Sequence, residues 1–199
     1  MRRRLPLFPL STVLFPEGPL ALRIFEPRYV DMVSRCMRDG SGFAVVLLLE
    51  GSEAGQRTVS TAEVGTEARI VDFDRLEDGL LGLTCVGQER VRIVSAWREA
   101  DGLNMAEVED LPAETAADIP GDCAHLALAV EHLYPTLPSI YPQWAPARYK
   151  DARWVGNRLA ELAPFDANTR QELLEMSDPL ARLRTLSPLV QLRDSDESH

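Results

Sequence analysis

Up to about residue 110 the apolar residues of this chain fall in short unbroken runs or alternate with polar ones, and beyond residue 120 they recur at spacings of three and four. The first habit belongs to strands and the second to helices. Over residues 5–14, leucine, phenylalanine and valine mix with Pro6 and Pro9. Each proline removes a ladder donor, so this stretch is predicted to be an edge strand or extended arm. A second strand is predicted over residues 20–25. Glu26-Pro27 then opens a helix, with proline at its first position and an acid beside the positive dipole end. Val30, Val33 and Met37 supply its apolar stripe, flanked by Tyr29 and Cys36, and Gly40 stops it. Residues 43–49 are a continuous apolar run bounded by glycines, the pattern of a strand covered on both faces and central to its sheet. A polar loop over 50–57 leads to strands at 68–73, 80–86, 91–97 and 105–108, with Asp78-Gly79 and Asp101-Gly102 as hairpin signals. Several short strands with one early helix make a small β-barrel or folded sheet rather than a βαβ fold.

The composition changes after Leu111-Pro112, where residues 113–118 are rich in alanine and acids, a linker or the lead into a helix. Leu126, Val130 and Leu133 mark one helix, and Ala152, Val155, Leu159 and Leu162 a second. A proline-rich stretch over 134–146 separates them. Asp166 or Asn168 caps a third helix running through Met176, and Asp178-Pro179 caps a fourth with Leu180, Leu183 and Leu186 inward. The expectation is an α+β protein of two lobes: a β-rich lobe over 1–112, a small helical bundle over 113–193, and a frayed tail over 194–199.

A chain of 199 residues, 45% hydrophobic and 26% charged, has the size and composition of a globular protein. No apolar run approaches the ~20 residues that a membrane helix needs. Arg2, Arg3 and Arg4 begin like a signal peptide, but Pro6, Pro9 and Pro16 break up the apolar stretch after them and no small-residue cleavage site is present. Cys36, Cys85 and Cys123 stand far apart in apolar surroundings, which suits reduced, buried thiols and a cytoplasmic location. A formal charge of −10, with arginines scattered among acids, argues against nucleic acid as a partner. Lys150 is the sole lysine, a mark of a GC-rich bacterial genome rather than of chemistry.

That lysine also limits the chemistry. A P-loop needs glycines for backbone approach to phosphate and a lysine followed by Ser or Thr, whereas Lys150 lies between Tyr149 and Asp151. A serine–lysine dyad would need the same residue, with no serine near it in sequence. Cys123, His125 and His132 have no usual zinc spacing and read as helix residues with a packed thiol. No serine sits in a G-x-S-x-G elbow. Carboxylate pairs such as Asp72 with Asp74, and Glu107 with Glu109, lie on one face of a strand, where a solvated edge accounts for them. The expectation is a protein with no catalytic residues, no cofactor and no metal.

More distinctive are Leu5-Pro6-Leu7-Phe8-Pro9-Leu10, Val13-Leu14-Phe15-Pro16 and Leu22-Arg23-Ile24-Phe25-Glu26-Pro27-Arg28-Tyr29. Val64-Gly65-Thr66, Asp78-Gly79, Gly87-x-x-Arg90-Val91-Arg92-Ile93 and Met176-Ser177-Asp178-Pro179-Leu180-Ala181-Arg182-Leu183 come after them in register. In order and spacing these resemble the N-terminal, substrate-binding domain of Lon-type ATP-dependent proteases over roughly residues 5–192. Glu17, where that family often goes directly to glycine, Ala44 in place of glycine and Val91 in place of phenylalanine are departures that touch local packing. The resemblance implies a PUA-like β-lobe joined to a helical bundle, and polypeptide binding without the ATPase or peptidase that follow this domain in Lon.

The expected activity is therefore that of a non-catalytic polypeptide-binding or adaptor protein, its partners being unfolded or extended polypeptide, or a protease or chaperone. An RNA-binding role, by analogy with PUA-like folds, and an undetected hydrolase are the alternatives. Arg23, Arg28 and Tyr29 either form a recognition patch or satisfy polar groups at a strand-to-helix junction. Trp144, with the backbone around Leu7, Phe8 and Leu10, is expected to line a cleft between the lobes that accepts extended polypeptide by strand addition.

Overall fold

The computed structural model describes residues 2–50 and 60–190. The expected loop beyond Glu50 and the expected tail lie outside the described residues. The first lobe is built from β1 (Arg2–Leu10), β2 (Pro19–Ile24), α1 (Pro27–Asp39), β3 (Phe43–Glu50), β4 (Ser60–Arg75), β5 (Leu81–Arg98) and β6 (Asn104–Asp110). The six-stranded sheet has the order β2-β5-β4-β3-β1-β6, and an added β5–β6 pairing closes it into a barrel. The second lobe holds α2 (Ala124–Leu133), α3 (Ala152–Leu162), α4 (Ala167–Glu175) and α5 (Pro179–Leu186). The fold is α+β, as the pattern predicts.

Residues 43–47 of β3 are all buried, because β1 and β4 flank the strand and both of its faces are covered. Ala44 and Val46 meet Leu5, Leu7, Val91, Ala106 and Val108 inside the barrel. Phe43 and Val45 face the other way, into a core shared with Phe8, Tyr29, Met32 and Leu83.

Three expectations are corrected. First, β1 is not an edge strand: its residues 2–6 pair with β6 and residues 7–10 with β3. Each half uses a neighbour on one side, so a proline facing the unused side removes no ladder bond. Second, the strands expected at 80–86 and 91–97 are one strand, β5, whose first half pairs with β2 and second half with β6. Gly87 stands at the changeover. Third, α1 is turned relative to its expected stripe: Tyr29, Met32, Val33 and Cys36 are buried, while Val30 and Met37 are exposed.

Between the lobes, residues 111–117 run without helix and Asp118 bridges Asp151, so the alanine- and acid-rich stretch is a connection rather than a helix start. The lobes share a core in which Val13, Phe15, Leu47, Ala62 and Val64 pack with Leu126, Val155, Leu159, Leu173 and Leu183. The helix starts obey the sequence signals. Asp166 caps α4 by accepting from the Thr169 N–H at 2.9 Å, and that bond holds the exposed carboxyl below the usual aspartate range. Asp178 caps α5 by accepting from Leu180 N–H at 2.9 Å and Ala181 N–H at 3.3 Å. Asp178→Ala leaves those donors without their side-chain acceptor and is expected to cost about 1 kcal/mol, read as a lower urea midpoint at unchanged slope.

Candidate functional site

The Arg23–Tyr29 motif forms a clasp. Arg28, its side chain 9% exposed, pairs with Glu26 at 2.8 Å. It also donates to the Gly102 carbonyl at 2.9 Å, which ties the start of α1 to the β5–β6 hairpin. Its guanidinium lies 4.7 Å from the centre of the Tyr29 ring, and that ring packs on Phe8 at 4.4 Å. Leu7, Phe8, Leu10 and Tyr29 are all buried. Arg23 is exposed and ion-paired to Asp78. Trp144 is half-buried inside a ring cluster with Tyr134, Tyr141, Tyr149 and Trp154.

The cavities at the lobe junction, of about 900 and 180 Å3, are lined by neither Trp144 nor residues 7–10. They share Arg90, Pro112, Ala113 and Glu114. Here a buried latch joins the lobes. Arg182 grips Glu114 with two bonds of 2.8 and 2.6 Å, and Arg90 reaches the same carboxylate at 3.1 Å. Arg90 donates to the carbonyls of Leu174 and Met176 at 2.7 and 2.8 Å, and Arg182 to that of Leu173 at 2.9 Å. These carbonyls lie at the negative end of α4, which helps balance two cations against one carboxylate. Burial lowers the Arg90 pKa, opposed by the charge of Glu114.

A second seam runs from Arg158 of α3, fully buried, to the Pro16 carbonyl at 2.7 Å and to Glu161 at 2.8 Å. Tyr141 donates to Glu161 at 2.5 Å. Burial raises the pKa of both Glu161 and Tyr141. The cysteines are equally inward: burial pushes the Cys85 thiol up to about 12 and raises Cys36 and Cys123 as well. Sequence reasoning missed these buried polar groups. Their signal was Arg182 set inside the Leu180–Leu183–Leu186 stripe, where an inward arginine demands a partner.

The open chemistry lies at the barrel's far end. Val71 and Phe73 of β4 are each 56% exposed. A groove of about 640 Å3 there is walled by Leu22, Arg23, Phe73 and Leu76 and edged by Asp72, Asp74, Glu77 and Asp78. An adjoining cavity of about 290 Å3 shares Asp72 and Phe73 and reaches Met37 at the end of α1. Exposed large apolar side chains in a concave, acid-rimmed surface suit an apolar ligand that carries positive charge. Of the residues expected at a binding surface, Arg23 is the one that lines this groove.

A closed barrel latched to a helical bundle by buried arginines, with an exposed apolar groove away from the latch, defines a two-lobed α+β class. The chain belongs to the family described as the ATP-dependent protease La (LON) substrate-binding domain, whose family model matches residues 4–191. The crystal structure of a Lon N-terminal domain protein from Xanthomonas campestris superposes with a TM-score of 0.79 at 35% identity, over 95% of this chain and 99% of that one. Lon protease 1 of Bdellovibrio bacteriovorus is 25% identical over 96% of this chain and 25% of its own length. Protein cereblon of Danio rerio is 32% identical over 58% of this chain and 27% of its own length. The chain thus spans about a quarter of the length of these curated relatives. Among the described residues no helix is long and apolar enough to cross a membrane.

Proposed function

We propose that the chain is a cytoplasmic, non-catalytic polypeptide-binding or adaptor module, its two lobes dividing near residue 112, and that it holds unfolded or extended polypeptide in the groove at the barrel's far end. The observation that carries this reading is the exposure of Val71 and Phe73, each 56%, beside a groove of about 640 Å3. Large apolar side chains clustered at a concave surface are a recognition feature rather than a packing one. Membership of a substrate-binding family points the same way, and delivery of the bound chain to a protease or chaperone is the adaptor form of the same activity.

A photo-reactive phenylalanine analogue tests it. Placed at Phe73, it is expected to capture a permanently unfolded model polypeptide. Placed at Leu128, an exposed apolar residue of α2 at 47%, it is expected to capture none. Equal capture at the two positions, or none at Phe73, removes the groove as the binding surface.

A further inference from the structure

β4 outruns its neighbour. β3 begins at Phe43, paired with Ala68, so residues 69–75 of β4 have β5 on one side and, among the described residues, no strand on the other. The phase of the ladder identifies the main-chain groups that face this open side. At the neck of the hairpin the Leu76 N–H donates to the Leu80 carbonyl at 2.9 Å. Hydrogen-bonded pairs alternate along an antiparallel ladder. Counted from the neck, Asp74–Gly82 and Asp72–Thr84 are the bonded pairs, while Phe73 and Arg75 turn their N–H and C=O groups outward. Both N–H groups are held by the preceding carboxylate: Phe73 N–H donates to Asp72 at 2.8 Å and Arg75 N–H to Asp74 at 2.7 Å. Across a cavity of about 290 Å3 from this edge stands the last turn of α1 with Met37, Gly40 and Ser41.

We propose that this edge takes an extended polypeptide by strand addition at residues 69–75 of β4, and that it selects segments whose apolar residues are flanked by arginine or lysine. The inference rests on the polypeptide-binding reading above and adds how the chain is held and which chain is chosen. Carbonyls of the incoming strand accept from the Phe73 and Arg75 N–H groups and displace the carboxylates of Asp72 and Asp74. Those freed charges, with Glu77 in the adjoining groove, then meet the basic side chains. Apolar side chains of the incoming strand lie against Met37, Val71 and Phe73, which are exposed for them. In the unoccupied protein the same aspartates cover the edge with charge and keep two copies from pairing through it.

Fluorescence anisotropy of the full chain with three labelled peptides tests both parts. The peptides are a short alternating valine–threonine segment with lysine flanks, the same segment N-methylated at alternate residues, and the same segment with glutamate flanks. N-methylation and glutamate flanks are each expected to weaken binding at least about tenfold, roughly the worth of one or two lost polar contacts. Phe73→Pro removes an N–H that β5 does not use, so the variant is expected to melt close to the parent and to bind the lysine peptide at least about tenfold more weakly. Equal binding of the methylated and unmethylated peptides overturns strand addition and leaves polypeptide binding standing. Equal binding of the lysine and glutamate peptides overturns the basic preference. Failure of all three to bind overturns the parent reading too. Should Phe73→Pro fail to fold, the peptide series on the unaltered protein still decides.

Discussion

Glu114→Ala is expected to destabilise the protein by about 3–5 kcal/mol, because it leaves two buried guanidiniums facing one another without an anion. Arg182 is fully buried and Arg90 is 4% exposed, so neither can regain water without opening the junction. The carbonyls of Leu173, Leu174 and Met176 would remain as acceptors. They supply partial charge at the end of α4, which limits the loss without replacing a carboxylate. At roughly 2–4 °C per kcal/mol for a chain of this size, the melting temperature should fall by about 6–20 °C. Glu114→Gln keeps the acceptor and loses the charge, and should fall between the two. A Glu114→Ala protein melting within about 2 °C of the parent would show that the latch contributes no net stability.

The same latch shows what a sequence conceals. Arg90, Glu114 and Arg182 come from β5, the inter-lobe connection and α5, and nothing local to any of them names the other two. By contrast, the bounds of α1 were legible because Glu26-Pro27 and Gly40 are local signals: Gly40 has φ of 63°, the left-handed conformation its position requires. Gly79 and Gly102 likewise close their hairpins at φ of 84° and 85°. The facing of α1 was less legible. Val30 and Met37 fit a stripe as well as Met32 and Cys36 do, and only the sheet beneath decides which face is covered. The role of residues 5–10 was less legible for a related reason, since a proline-bearing strand looks like an edge until its change of partner is known. The groove was legible in part. Asp72 and Asp74 read as a solvated edge face, and both are exposed on the part of β4 that lies beyond β3. The exposure of Val71 and Phe73 depends on β3 starting no earlier than Phe43, a matter of register over a long separation.

Gly87→Ala is expected to cost about 2–4 kcal/mol. A Cβ at Gly87 would stand 2.2 Å from the Phe15 carbonyl oxygen and 3.0 Å from its carbon. Both are backbone atoms, so a rotamer change cannot relieve the clash; the turn over residues 15–18 must move. That turn is pinned to the same residue. The Glu17 N–H donates to the Gly87 carbonyl at 2.8 Å, and the Gly87 N–H donates to the Gly18 carbonyl at 2.9 Å. Glu17 itself sits at φ of 61°, a strained conformation held by these bonds and by its ion pair with Arg148 at 2.9 Å. Moving the turn also lifts the fully buried Phe15 from the shared core and draws the Pro16 carbonyl away from buried Arg158, which donates to it at 2.7 Å. The penalty therefore combines overpacking with polar groups left without partners, each about 1–3 kcal/mol. Gly121→Ala is the matched control: nothing lies within 4 Å of its added Cβ, and its effect should stay within about 0.5 kcal/mol. Urea unfolding of the two variants separates the cases. A Gly87→Ala loss no larger than that of Gly121→Ala would mean that the turn yields freely and does not fix one lobe against the other.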